Sequence, residues 1–392
     1  MRDFPDMAMQ LDAHRAEHPR TREDRLPTAF QWKDPATIPP RAWLYGRHLI
    51  RKQVSVTVAP GGVGKSSLTI CEALAMASGR DLLGDWTAKN LKVWIYNLED
   101  EREELERRII GAMQHHAVSP HEIEGRLFVD TGRERTLSTA IQTRNGISII
   151  KPEIENLARE IETREIDVLV IDPFVSSHQV SENDNGAIDL VAKEWARLAD
   201  HCNCAIELVH HTRKTNGETA TTESARGATA LLGAARSGRV LNKMTDEMKA
   251  DAGVQDDPAT YFAVTRDKAN LAPVGARVWR RMASVELANG DSVGVAEAWH
   301  WPDTFDGITV KELLAVQKAV DGKNPRYSDQ AGEGWAGCIV ADVLGLDVIA
   351  DRKRIKRIIE TWIKNGALVK VKVKCDDRKE RPCLAVGEWA SE

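Results

Sequence analysis

Three features of the sequence predict an α/β fold with a mainly parallel sheet, followed by a small carboxyl-terminal domain of helices and one hairpin. Short β-branched runs alternate with helical patterns between residues 54 and 266, and a glycine-rich turn joins the first run to a helix. A turn-rich break, WHWPDTFDG at residues 299–307, then separates this alternation from a different pattern. The expected domains are an extended arm over residues 1–45, an α/β domain over 46–300 and a smaller domain over 301–392. A chain of 392 residues exceeds one ordinary hydrophobic core, which supports such a division.

In the arm, Pro27, Pro35, Pro39 and Pro40 disfavour a long helix through its second half. Strands are expected at residues 54–58, 93–97, 167–172, 205–210 and 261–266. Helices between them are amphipathic at the 3.6-residue period, as in Leu105, Ile109 and Met113, or Ile188, Val191, Ala192, Trp195 and Leu198. In the last domain a helix is expected over residues 335–344, ending at Gly345. Another over 351–365 gathers Ile355, Ile358, Ile359, Trp362 and Ile363 on one face. ALVKVKVK then alternates Val369, Val371 and Val373 with Lys370, Lys372 and Lys374, and CLAVGEW returns after a turn. Two helices and a hairpin are a winged-helix pattern.

Composition narrows the function classes. A hydrophobic fraction of 42% and a charged fraction of 29% argue for an ordinary globular protein rather than a disordered one. Six cysteines without paired C-x-x-C spacing give neither a disulfide scaffold nor a zinc ligand set. The start lacks the apolar core of a signal peptide and no run approaches a membrane span, so a cytoplasmic protein with no membrane partner is expected. A net charge of -5 means that any nucleic-acid surface must be a local basic patch. Residues 351–382 supply one, with 12 Lys or Arg against 5 Asp or Glu, a difference of +7. Lys370, Lys372 and Lys374 are the candidate phosphate contacts there.

Residues 54–74, VSVTVAPGGVGKSSLTICEAL, read as strand, glycine-rich turn and helix. This is the context of a phosphate loop, with Ala59 at the first position of G-x-x-x-x-G-K-[ST]. The nucleotide-binding segment is Pro60, Gly61, Gly62, Val63, Gly64, Lys65, Ser66 and Ser67. Its glycines let backbone amides turn toward phosphate oxygens, and the helix N-terminus adds partial positive charge. Lys65 is expected to reach the β- and γ-phosphates of ATP, and Ser66 to ligate Mg2+. Asp172, ending the apolar strand DVLVID, is the second candidate for the metal, because ligands gather at the carboxyl ends of strands in such sheets. Glu99 in VWIYNLEDE, with Asp100 beside it, is the candidate for activating water. In ELVHHTRK, alternation along a strand lets only one of His210 and His211 face the nucleotide, and His211 is the expected one.

APGGVGKS, Glu-Asp after the next strand, VIDP, and HHT with a following Lys together resemble the RepA-type hexameric helicases among the RecA-like ATPases. The likeness extends through ESARGATALLGAARSGRVL and TRDKANLAP, roughly residues 45–285. It implies a RecA-like ATPase domain with Lys65, Ser66, Glu99, Asp172 and His211 lining the nucleotide. It also implies a homo-oligomer, with a hexameric ring favoured, in which a neighbour's arginine completes the site. Arg236 is the candidate finger, with Arg239, Arg226 and Lys268 as competitors. The polar stretch after His211 matches a channel loop that touches DNA, through Arg213 and Lys214. The function so implied is a Mg-ATP-hydrolysing motor of the replicative helicase kind. A recombinase-like or loader ATPase, and a nucleotide-switched DNA-binding regulator, are the alternatives.

Overall fold

The computed structural model describes residues 27–212, 228–269, 271, 277–374 and 380–391. The chain forms two units, Met1–Arg41 and Ala42–Glu392. In the first, the described residues 27–41 are irregular apart from one 3-10 turn, Pro35–Thr37. There the Asp34 carboxylate accepts from Ala36 N at 2.9 Å. Closely spaced prolines account for the absence of longer structure in this stretch.

In the second unit nine strands form one sheet. In chain order they are β1 (Val54–Pro60), β2 (Val93–Asn97), β3 (Leu127–Thr131), β4 (Val168–Asp172), β5 (Ala205–Thr212), β6 (Ser237–Lys243), β7 (Tyr261–Ala269), β8 (Val278–Glu286) and β9 (Ser292–Trp299). Their spatial order is β9-β8-β7-β6-β1-β5-β4-β2-β3. From β6 to β3 every pairing is parallel, and β7, β8 and β9 extend the other edge antiparallel. The α/β class with a mainly parallel sheet is thus the observed one.

The central strands β2 and β4 are buried along their whole length, and β1 up to its last residue, as parallel strands covered on both faces must be. The covering helices are α1 (Lys65–Ser78), α2 (Arg102–His115), α3 (Lys151–Arg164) and α4 (Asn185–His201). On one face Leu157 and Ile161 of α3 pack with Ile188, Val191, Trp195 and Leu198 of α4. On the other, Leu68, Cys71, Leu74 and Ala75 of α1 pack with Leu105 and Ile109 of α2. The amphipathic faces expected from the sequence are the buried ones.

Four of the nine strands, β3, β6, β8 and β9, were not anticipated. β6 follows a segment rich in Ala and Gly, and β8 and β9 mix polar or charged with apolar residues as antiparallel strands with one wet face do. The β8–β9 pair is not peripheral to the loop. Met282 and Phe262 pack against Gly64, and the Ser67 hydroxyl donates to Gly294 O at 3.0 Å while accepting from Ala296 N at 2.8 Å.

Residues after Trp301 build a separate core. Helices α5 (Val310–Val320), α6 (Ala336–Leu344) and α7 (Arg352–Lys364) and the antiparallel pair β10 (Leu368–Lys374) and β11 (Glu380–Val386) enclose Val316, Trp335, Val340, Ile355, Ile358, Ile359, Trp362, Leu368 and Leu384. The α7 isoleucines face inward, and its basic residues lie outside. Two of them, Lys353 and Arg357, reach Asp251 in the helix Asp246–Ala252, at 2.9 and 3.2 Å.

Candidate functional site

The carboxyl ends of β1, β4 and β5 and the turn after β2 bring the expected residues together. β1 runs into the loop at Pro60, and α1 begins at Lys65. Gly62 and Gly64 hold φ of 70° and 106°, in the left-handed region that glycine tolerates. A Cβ on Gly64 would also lie 2.9 Å from Met282 Sδ, so the position is closed to side chains on both counts. Gly61 and Gly62 are exposed with open space where a Cβ would sit, whereas Val63 is buried and pins the loop.

Lys65 is buried, and its Nζ donates back to Pro60 O at 3.0 Å and Ala59 O at 3.3 Å. Burial lowers its pKa, while Asp172 and Glu99 act against that shift. Ser66 Oγ donates to Asp172 Oδ2 at 2.8 Å. Asp172 is only 4% exposed, and burial raises its pKa to about 6 against the opposing pull of Ser66 and Lys65. A buried carboxylate so incompletely compensated, paired with a hydroxyl oxygen beside a phosphate loop, is a donor set suited to a hard divalent cation.

Glu99 and Asp100 adopt different roles. Asp100 is bound by Arg108 at 2.9 Å and by Asn97 Nδ2 at 3.1 Å, which uses its carboxylate structurally. Glu99 keeps a half-exposed side chain, with its Oε2 3.7 Å from His211 Nε2. Asn97 makes this possible: its Oδ1 accepts from the backbone N–H of Glu99 at 2.9 Å and of Asp100 at 2.7 Å, fixing the turn after β2. Sequence reasoning passed over Asn97. An Asn ending a strand just before two acids is the signal that marks it.

The two histidines separate as strand alternation requires. His211 pairs with Ala59 and faces Glu99, and burial lowers its pKa. His210 is buried beneath, against the Phe174 ring, with its pKa pushed down to about 4 by burial. His178 packs on the same ring, and burial takes it to about 4 as well.

Other candidates lie elsewhere. Ser67, placed with the nucleotide-binding residues, spends its hydroxyl on β9 and has only its backbone N–H to offer the loop. Arg239, a competitor for the finger, is corrected to a structural residue. It is 4% exposed and holds Glu72 through two bonds of 2.6 Å and Thr57 at 2.7 Å. Thr57 donates in turn to Glu207, which His48 Nε2 contacts at 2.9 Å. This buried network ties α1, β1, β5 and β6 together under the loop. Arg236 is exposed, and its backbone N–H donates to Val54 O at 3.0 Å. At about 3.3 Å per residue, six residues of β1 place it roughly 20 Å from its own loop. Arg213, Lys214 and Arg226, and the side chain of Lys268, lie outside the described residues.

Lys370, Lys372 and Lys374 are exposed along β10, opposite Leu384, Pro382 and Glu380 of β11. Five of the six basic residues of α7 are already engaged: Arg352 and Lys356 with Asp329 at 3.2 and 3.1 Å, Lys353 and Arg357 with Asp251, and Arg354 with the carbonyls of Thr304 and Asp306. Among the described residues no group of three or more metal-ligating side chains is present, and no helix is long and apolar enough to cross a membrane.

The crystal structure of the RadB recombinase is similar to this chain at 13% identity and a TM-score of 0.38, over 59% of this chain and 88% of that one. The family model described as AAA domain matches residues 19–217, half of the chain. That span contains the phosphate loop, Glu99, Asp172 and His211. The chain belongs to the AAA domain family.

Proposed function

We propose that the chain is an oligomeric, Mg-ATP-hydrolysing motor that acts on DNA and resembles the RepA-type replicative helicases. The observation that carries hydrolysis is the Ser66–Asp172 hydrogen bond beside buried Lys65, with Glu99 and His211 facing each other across the same site. Loop amides and Lys65 would hold the β- and γ-phosphates, and Ser66 and Asp172 are the residues that would hold Mg2+. Bound there, Mg2+ would supply neutralisation of the charge that develops on the phosphate oxygens. Glu99 accepts the proton of the attacking water, and neutral His211 orients Glu99 and senses the γ-phosphate.

Oligomerisation is supported by Arg236, which is exposed and too far from its own loop to act there. In a ring it would serve a neighbour's nucleotide. DNA binding is supported by the exposed lysines of β10, on a core of three helices and a hairpin that suits a winged helix, and residues 301–392 form that domain in this reading. The test measures ATP turnover with and without single-stranded DNA, then strand displacement on a forked duplex. A motor shows stimulated turnover and ATP-dependent displacement. Stimulation without displacement favours the recombinase-like or loader function. Turnover indifferent to DNA contradicts the motor.

A further inference from the structure

We infer that the pocket between Tyr327, Trp335 and α7 is a subsite for one unstacked nucleobase bearing an exocyclic amino group, on a strand whose phosphates lie along Lys370, Lys372 and Lys374. The inference rests on the DNA-binding reading of β10 and adds base preference to it.

The pocket has a volume of about 210 Å³, below the ~300–1,000 Å³ of clefts that take whole cofactors, so it suits one ring system. Its apolar walls are Tyr327, Trp335 and Ile359, two aromatic rings and a branched aliphatic chain. Trp335 and Ile359 are buried core residues that form a rigid floor, and the half-buried Tyr327 ring is the wall with surface open to a base. The Arg352 guanidinium lies 5.1 Å from the Trp335 ring centre. Polar groups sit beside the walls: Asp329, Lys356 and Glu360.

Those polar groups differ in what they can still do. Asp329 is committed to Arg352 and Lys356. Glu360 is exposed and makes no ion pair among the described residues, although it stands on the most basic helix of the chain. A free carboxylate beside apolar ring walls accepts from N–H donors on a flat ligand. The amino groups of cytosine and adenine are such donors, and thymine lacks one.

The neighbouring hairpin supplies the rest. Lys370 Nζ lies 3.7 Å from the centre of the Tyr327 ring, and Tyr327 N donates to Pro382 O of β11 at 3.0 Å. The pocket wall is therefore bound to the strand pair that carries the lysines. A backbone running along Lys370, Lys372 and Lys374 would have the pocket within reach of an adjoining base. A basic peptide could also satisfy Glu360, but the same three lysines would repel it.

The test uses the full chain and fluorescence anisotropy with labelled oligo-dC, oligo-dT and oligo-dC containing abasic positions. Wild type is expected to bind oligo-dC roughly fivefold or more tightly than oligo-dT, the effect of one hydrogen bond to a charged acceptor. Abasic positions should remove that advantage. Glu360→Gln should bring oligo-dC toward oligo-dT, and Tyr327→Ala should weaken oligo-dC roughly tenfold through lost stacking. Glu360 is exposed and makes no ion pair among the described residues, so its variant reads out even where Tyr327→Ala fails to fold. Equal binding of the three oligonucleotides, or a preference that survives Glu360→Gln, overturns the subsite while leaving DNA binding intact. Displacement of oligo-dC by a lysine-rich peptide in wild type but not in Glu360→Gln would make the pocket a protein site and also overturn it. If charge reversal at all three lysines leaves oligonucleotide binding unchanged, the underlying reading of β10 fails and the subsite falls with it.

Discussion

At the scale of single residues, chemistry and stability are carried by different charged groups, and substitution separates them. Removing Arg239 would leave Glu72 buried without its partner, so Arg239→Met should cost about 3–5 kcal/mol in urea unfolding. Arg236→Ala, at an exposed position, should change unfolding by less than about 0.5 kcal/mol. Acid should act through His178 and His210. Each has a pKa near 4 in the folded chain against an ordinary 6.5, so the unfolded chain binds protons first. Their contribution is intact above about 6.5 and is lost progressively as pH falls toward 4, by up to about 1.4 kcal/mol per pH unit for each histidine. Asp172, shifted upward, acts in the opposite direction over part of that range. The comparison that isolates the histidines is wild type against His178→Gln/His210→Gln, whose melting temperature should depend less on pH. The loop, Asp172 and Glu99 were legible in the sequence because each follows an apolar strand at a spacing that chemistry restricts. The Glu72–Arg239 network was not, because its partners are brought together only by the sheet, whereas Asn97 is marked locally by its place just before Glu99 and Asp100.

At the scale of elements, the phosphate loop is shaped from outside as well as by its own glycines. Gly64 is closed by its φ of 106° and by Met282 of β8, so Gly64→Ala should both strain the loop and push on the antiparallel edge. A loss of nucleotide binding of roughly tenfold or more is expected by calorimetry, in step with about 1–3 kcal/mol of backbone strain. Met282→Ala combined with Gly64→Ala should relieve the contact and not the strain, restoring only part of the affinity. The parallel strands β1, β2, β4 and β5, unlike β3 and β6, could be read from their largely apolar, β-branched runs. β8 and β9 could not, since antiparallel strands with one wet face mix polar residues into the pattern, yet they supply Met282 and the backbone partners of Ser67. The α7 charges show the opposite case. Their basicity was plain in the sequence, but Asp251, Asp329 and two backbone carbonyls engage five of the six, which leaves the hairpin lysines, with Lys364, as the exposed basic surface.

At the scale of the whole molecule, turnover would depend on assembly if Arg236 completes a neighbour's site. Arg236 sits roughly 20 Å from its own loop by strand length, so turnover per chain should rise with protein concentration. Arg236→Ala should abolish that rise, with a loss of about a thousandfold in the assembled state, the size of effect an arginine finger supplies. Full turnover in a dilute monomeric sample would remove Arg236 from the mechanism. The central claim is ATP hydrolysis by the cluster of Lys65, Ser66, Asp172 and Glu99, and its most direct test is the magnesium-dependent ATP turnover of Glu99→Gln beside wild type, with ATP binding measured in the same samples. The account predicts unchanged binding and a fall in turnover of about a hundredfold or more. Turnover in Glu99→Gln equal to that of wild type would contradict it.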